Sequence, residues 1–365
     1  MSEVNSTRPH SSQFDMTASD RYQQWRLLKD KLVARSVVTG GLSIIVAILL
    51  IFFYLLYVVF PLLLSSHAES VAQYALPQAE SGKTLLMAME EQNEVAVRFT
   101  DTGQAIFFSV ADGTVLRTDA LPITTGAVTS FAHGDFDKGE IAYGLNDGKV
   151  LVARHEYKLS YPNGKRQITP SIEYPLGNQA LAVDSNAQPL KLIAFKVDDK
   201  NSTLVAKTSD DRIVLTALTQ KRSLFDDEVS LDRTDVVLES AGHHVDFMLL
   251  DKEQRNLYLA NRKGDLTIYD VSDKTLPSIK HKVNIMEQAA EISSIEFLNG
   301  DLSLLVGDSR GELSQWSMVR DEKNHFSVQK LRGFKVSKVA IQTINAEQRR
   351  KGMVVADVLG GVGVY

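Results

Sequence analysis

The sequence predicts a mainly β protein, a β-propeller-like (WD40-like) periplasmic domain of about six or seven blades preceded by one N-terminal transmembrane α-helix. Three observations predict it. The chain carries an uncharged run from Ser36 to Ala68, it nearly lacks amphipathic helical patterns afterwards, and a β-turn-β unit recurs along the rest at blade-like intervals.

Within the run, Val37 to Leu64 is almost wholly apolar, with Arg35 closing one end and Glu69 the other. About 20 apolar helical residues span a bilayer core, so this stretch is long enough to cross one. Between Asp20 and Arg35 lie Arg21, Arg26, Lys29, Lys31 and Arg35 against Asp20 and Asp30, whereas the far flank has no Lys or Arg until Lys83. Positive charge is retained inside, which predicts a cytoplasmic N-terminus, with everything after about Ser65 on the outer side of the membrane. Phe52, Phe53, Tyr54, Tyr57 and Phe60 form an aromatic belt on the exit side. Ser66-His67-Ala68 resembles a cleavage site, but the long apolar run and the 35 residues before it suit an anchor better than a signal peptide.

Composition narrows the function. Net charge is −5 over 365 residues, and the basic residues outside the juxtamembrane segment are scattered, so nothing marks a nucleic-acid surface. The absence of cysteine removes thiolate catalysis, zinc–cysteine sites and iron–sulfur clusters.

The repeat unit is two β-rich runs around a turn that usually ends in Gly. Copies are Ala96–Phe99 with Asp101-Thr102-Gly103 and Ala105–Phe108, Ile141–Gly144 with Asn146-Asp147-Gly148 and Val150–Val152, and Leu257–Ala260 with Asn261-Arg262-Lys263-Gly264 and Leu266–Tyr269. Leu304–Gly307 with Asp308-Ser309-Arg310-Gly311, Leu204–Ala206 with Ser209-Asp210-Asp211, and Met353–Ala356 with Asp357-Val358-Leu359-Gly360 complete the set. Turn positions 103, 148, 211, 264, 311 and 360 are spaced by 45, 63, 53, 47 and 49 residues. Four-stranded propeller blades repeat at about 40–50 residues. Ile292–Phe297, Ser303–Gly307, Glu312–Met318 and Phe326–Leu331 would be the four strands of one blade, and the long interval predicts an insertion around Tyr157–Pro175. A β-sandwich with glycine hairpins is the competing architecture.

These signals divide the chain into a disordered cytoplasmic tail (1–19), a basic amphipathic juxtamembrane helix (20–35), a transmembrane helix (36–66), a linker (67–82) and the periplasmic domain (83–365). The last repeat stops after Val362–Tyr365 without an outer strand. Either a strand near Leu85–Met89 closes the ring, or the natural protein continues past Tyr365 into a multi-helix permease domain, the expectation adopted here.

Motifs with chemical content are weak. Gly82-Lys83-Thr84 has Pro77 where a phosphate loop needs its first Gly. Asp135-Phe136-Asp137-Lys138-Gly139-Glu140 has Gly139 and Asn146 at calcium-ligand positions. His243-His244, taken as adjacent strand residues, would point to opposite faces. Gly360-Gly361-Val362-Gly363 lacks the spacing of a dinucleotide loop and reads as a hairpin. No catalytic, cofactor-binding or metal residue is assigned, and no enzyme activity or cofactor is expected; substrate-binding residues stay unassigned.

Asp30-Lys31-Leu32-Val33-Ala34-Arg35, Thr39-Gly40-Gly41 and the run Leu49 to Leu62 resemble the first transmembrane helix of the extended phosphate ABC transporter permeases of Gram-negative bacteria. The resemblance implies a bacterial inner-membrane location and a periplasmic propeller-like insert directly after this helix, as the repeats here also suggest. It also implies a partner permease subunit, an ABC ATPase and a periplasmic phosphate-binding protein as partners. The family's following helix bundle, with the loop that engages the ATPase, has no counterpart after Leu64. The expected function is therefore a permease component, possessing the anchor and the propeller, of a phosphate importer. The alternative is a membrane-anchored propeller scaffold for envelope or outer-membrane protein assembly.

Overall fold

The computed structural model describes residues 16–63, 72–124, 126–222, 229–286, 289–298, 300–323, 325–347 and 352–365. The chain separates into two compact units, residues 1–70 and 71–365.

Among the described residues the first unit is a single helix, α1 (Met16–Val59), closed by a 3-10 turn over Phe60–Leu63. Its 44 residues would extend about 66 Å at 1.5 Å per residue, twice the roughly 30 Å of a hydrocarbon core. The basic segment expected as a separate juxtamembrane helix is part of this same helix, which is already helical at Met16, within the tail expected to be disordered over 1–19. Lys29 sits 4.9 Å from the centre of the Trp25 ring. Every side chain described from Tyr22 to Leu63 is exposed, and the helix is long and apolar enough to cross a membrane. Residues 1–15 and the Ser66-His67-Ala68 site lie outside the described residues.

The second unit is a six-blade β-propeller. Blade 1 is β1 (Thr84–Met89), β2 (Val95–Thr100), β3 (Gln104–Ser109) and β4 (Val115–Ala120). Blade 2 is β5 (Val128–His133), β6 (Glu140–Leu145), β7 (Lys149–Ser160) and β8 (Gln167–Glu173), with the short β9 (Leu181–Ala182) pairing β7. Blade 3 is β10 (Leu190–Val197), β11 (Asn201–Thr208), β12 (Ile213–Arg222) and β13 (Val229–Val237). Blade 4 comprises β14 (Phe247–Leu250), β15 (Asn256–Ala260), β16 (Asp265–Asp270) and β17 (Ser278–Asn284). Blade 5 comprises β18 (Ile292–Phe297), β19 (Ser303–Asp308), β20 (Glu312–Arg320) and β21 (Phe326–Lys335). Blade 6 has three strands, β22 (Ile341–Ala346), β23 (Met353–Asp357) and β24 (Val362–Val364). All neighbouring strands are antiparallel.

The turn between second and third strands repeats in chemistry as well as spacing. All six expected turn positions have left-handed backbone, with φ of 74° at Gly103, 76° at Gly148, 63° at Asp211, 93° at Gly264, 82° at Gly311 and 85° at Gly360. In five blades the side-chain oxygen that ends the second strand (Thr100, Thr208, Asn261, Asp308, Asp357) accepts the backbone N–H four residues on. This satisfies a donor that the hairpin strands cannot reach. Innermost strands share a second device, a β-bulge one residue from their start in β1, β5, β10, β18 and β22. Bulges increase local twist, which a blade needs as it leaves the axis.

Apolar faces of successive blades form the core. Val97, Phe99 and Phe107 of blade 1 meet Ile141, Tyr143 and Leu151 of blade 2. Leu215 and Leu257 join blades 3 and 4, and Ile268 and Ile292 join blades 4 and 5. Leu305, Leu313 and Ile341 seal blade 5 to blade 6. On the far face of blade 6, Val354, Val362 and Val364 are exposed.

Three expectations are revised. The residues around Tyr157–Pro175 are a long β7–β8 hairpin of blade 2, with a 3-10 turn at Pro162–Gly164, rather than an insertion between blades. Leu85–Met89 is the inner strand of blade 1, paired with β2, and does not complete blade 6. The segment expected as a free linker is built into the domain from Tyr74 to Gly82. Tyr74 packs edge-on against Phe108 with its hydroxyl on the Val110 carbonyl at 3.1 Å, and the fully buried Arg98 guanidinium donates to the carbonyls of Pro77, Gln78 and Gly82 and to the Thr84 hydroxyl. Odd residues of β2 face blade 2, so even-numbered Ala96, Arg98 and Thr100 face the lead-in, and both sides of the strand are buried.

Candidate functional site

The inner strands β5, β10, β14 and β18 surround a cavity of about 370 Å³ on the propeller axis, with Ala346 and Glu347 of blade 6 at its edge. Apolar Phe131, Ile193, Met248 and Ile295 line part of it. The rest is charged. The turn after each inner strand brings polar residues towards the axis: Asp135 follows β5, Lys252 follows β14, and Asp301 follows β18.

These groups pair across blades. His133 Nε2 lies 3.1 Å from Glu296 Oε2, linking blade 2 to blade 5. The imidazole stacks on Phe136 at 4.1 Å, and its Nδ1 lies 3.3 Å from the Gly134 carbonyl. Lys196 of blade 3 donates to Asp135 Oδ1 at 2.7 Å, and its ammonium is 3.8 Å from Asp301 Oδ2. Burial works against the Asp135 carboxylate, but the hydrogen bond from Lys196 and the charges of Lys196, Lys138 and Lys252 hold its pKa below the usual value. Burial raises the pKa of Asp301, with Lys196 offsetting only part of the effect. Asp301 Oδ2 is buried without a hydrogen bond and is a polar atom open to an incoming donor.

A second polar pocket lies beside blade 2, where His155 is set between the rings of Phe99 and Tyr157. Burial lowers the His155 pKa to about 4, so the ring is neutral at neutral pH and serves as core packing.

The residues weighed in the sequence are distributed elsewhere. Lys83 N–H donates to Asp101 Oδ1 at 2.8 Å and Thr84 Oγ1 accepts from Arg98, so Gly82-Lys83-Thr84 opens blade 1 with its backbone and hydroxyl already committed. Asp135 is ion-paired, and the Asp135–Glu140 segment is the turn between β5 and β6. His243-His244 lies in the loop between β13 and β14 rather than on a strand, with His243 Nε2 2.9 Å from Thr267 Oγ1. Gly360-Gly361-Val362-Gly363 is the β23–β24 hairpin. Among the described residues no group of three or more His, Asp or Glu is arranged to hold a metal.

His133, Lys196, Glu296 and Asp301 were not singled out from the sequence. The available signal is register: aligning β5 with β18 at their bulges places His133 and Glu296 one position apart on equivalent inner strands.

No family model matches the chain and no curated relative is found by sequence. Among solved structures, the chain is similar to the β-propeller domain of Myceliophteria thermophila Cps50 (Swd1), at 10% identity and a TM-score of 0.42, over 78% of this chain and 97% of that one. The strand order of this chain itself defines a β-propeller, preceded among the described residues by one apolar helix of membrane-spanning length.

Proposed function

We propose that this chain is a membrane-anchored permease component of a phosphate-type ABC importer, its propeller serving as a periplasmic interaction domain. The observation that carries the reading is the order of parts: a basic lead-in and an apolar helix, exposed throughout, come directly before the propeller. The resemblance of Asp30 to Leu62 to the extended phosphate permeases supplies the substrate and the partners. The same resemblance supplies the assembly, a second permease subunit and an ATPase alongside this chain. The propeller supplies loops and blade ends broad enough to meet a periplasmic phosphate-binding protein.

Deleting the gene in its native host and restoring it on a plasmid tests this through uptake of labelled phosphate. The expected result is a loss of uptake that the plasmid reverses, with an ABC ATPase recovered on the affinity-purified chain. Unchanged phosphate uptake, with outer-membrane assembly factors on the purified chain, would establish the scaffold reading instead.

A further inference from the structure

Neighbouring blades are held by apolar faces, but blades 2 and 5 are not neighbours. They are joined across the axis by the His133–Glu296 contact, between residues 163 positions apart. The acceptors at this contact define its charge state. The Gly134 carbonyl near Nδ1 can only accept, and an ionised carboxylate at Nε2 can only accept, so a ring satisfying both carries a proton on each nitrogen. An imidazole that loses one proton keeps a single N–H for Glu296, turns a lone pair towards the Gly134 carbonyl, and loses the positive charge that strengthens the bond across the axis.

We propose that the His133–Glu296 pair is a proton-dependent latch across the propeller axis, held as an ion pair while His133 is imidazolium and weakened to a neutral hydrogen bond when it loses its proton, so that the central cavity opens more readily. Charged groups reach this cavity from every blade that lines it. Asp135 and Asp137 lie on the histidine's own blade, Lys191 and Lys196 on blade 3, Asp246 and Lys252 on blade 4, Glu296 and Asp301 on blade 5, and Glu347 on blade 6. Lys196 repels the imidazolium but is itself held by Asp135 and Asp301, and carboxylates outnumber ammonium groups around the cavity. Burial disfavours the cation, yet the hydrogen bond and charge of Glu296, aided by the Gly134 carbonyl, overcome it and the His133 pKa is raised above 6.5. The sign follows from linkage. A histidine with a raised folded pKa contributes its full stabilisation below its unfolded pKa and loses it as pH rises through the folded pKa, so the latch opens on the alkaline side. Stacking on Phe136 keeps the ring in place in both states.

The chain has no cysteine, so an Ala132→Cys variant puts a single thiol on the cavity wall. Its rate of labelling by a maleimide is measured on the full chain in detergent between pH 6 and 9, relative to a Leu302→Cys variant whose exposed thiol corrects for thiolate chemistry. The expected result is a relative rate that rises about three- to tenfold with pH in the otherwise native chain and stays flat when His133→Gln is added, since one pKa unit is a factor of ten. A flat profile in the native background, or the same rise with His133→Gln, overturns the proposal. A measurement that needs no substitution at the pair guards against misfolding: the His133 ring C–H resonance should titrate with a midpoint above 6.5, and a midpoint below it overturns the latch equally.

Discussion

Arg98→Ala is expected to destabilise the propeller by about 3–5 kcal/mol and to free residues 72–82 from blade 1. The guanidinium is almost fully buried, and its four acceptors are all uncharged: three carbonyls of the lead-in and the Thr84 hydroxyl. Truncation strands those carbonyls, and each buried unpaired group costs about 1–3 kcal/mol, reduced where water can enter from the surface side. Arg98→Met separates charge from hydrogen bonding. It keeps much of the volume and removes the buried charge, yet leaves the same carbonyls unpaired, so it should lose nearly as much stability as Ala. Urea midpoints of the full chain, with limited proteolysis of the lead-in, check both. A loss under about 1 kcal/mol for Arg98→Ala would show that Tyr74 and the other contacts hold the segment without it.

Gly311→Val should cost at least about 3 kcal/mol, well beyond the strain of its backbone. Its φ is 82°, and a Cβ there would lie 2.5 Å from the carbonyl oxygens of Ser337 and Val339, which belong to the chain entering blade 6. Those carbonyls are backbone and cannot rotate aside. Gly360→Val is the matched control, with φ 85° and nothing within 4 Å of the added carbon. It should cost only the left-handed strain, about 1–2 kcal/mol. Equal losses in thermal unfolding at the two sites would contradict the view that one turn shape serves two packing roles.

The blades were legible because their signals are local. A turn that needs positive φ at its last position and a side-chain oxygen at its first is written within five consecutive residues, as in Asp308 to Glu312. The strands flanking such turns alternate or run fully apolar according to how many faces they bury, and the four strands of blade 5 fell where the pattern put them. The cavity was not legible, because His133, Lys196, Glu296 and Asp301 come from three blades and the partners that meet, His133 with Glu296 and Lys196 with Asp301, lie more than 100 residues apart. The lead-in was misjudged for a different reason. Residues 72–82 carry linker composition, and what orders them is long-range: Arg98, on a strand that otherwise looks like any second strand of a blade, and Tyr74 against Phe108. The histidine pair at 243–244 was placed on a strand because the long β12–β13 hairpin before it obscures where blade 3 ends.

The account rests most on α1 remaining part of the protein as a membrane anchor. Intact-mass spectrometry of the chain recovered from its native host, after an alkaline carbonate wash of the membranes, measures this directly. The account predicts a species retained in the washed membrane pellet whose mass includes residues 1–68. A species found in the soluble periplasmic fraction and beginning at Glu69 would contradict it, since the helix would then be a removed signal and the propeller would act untethered.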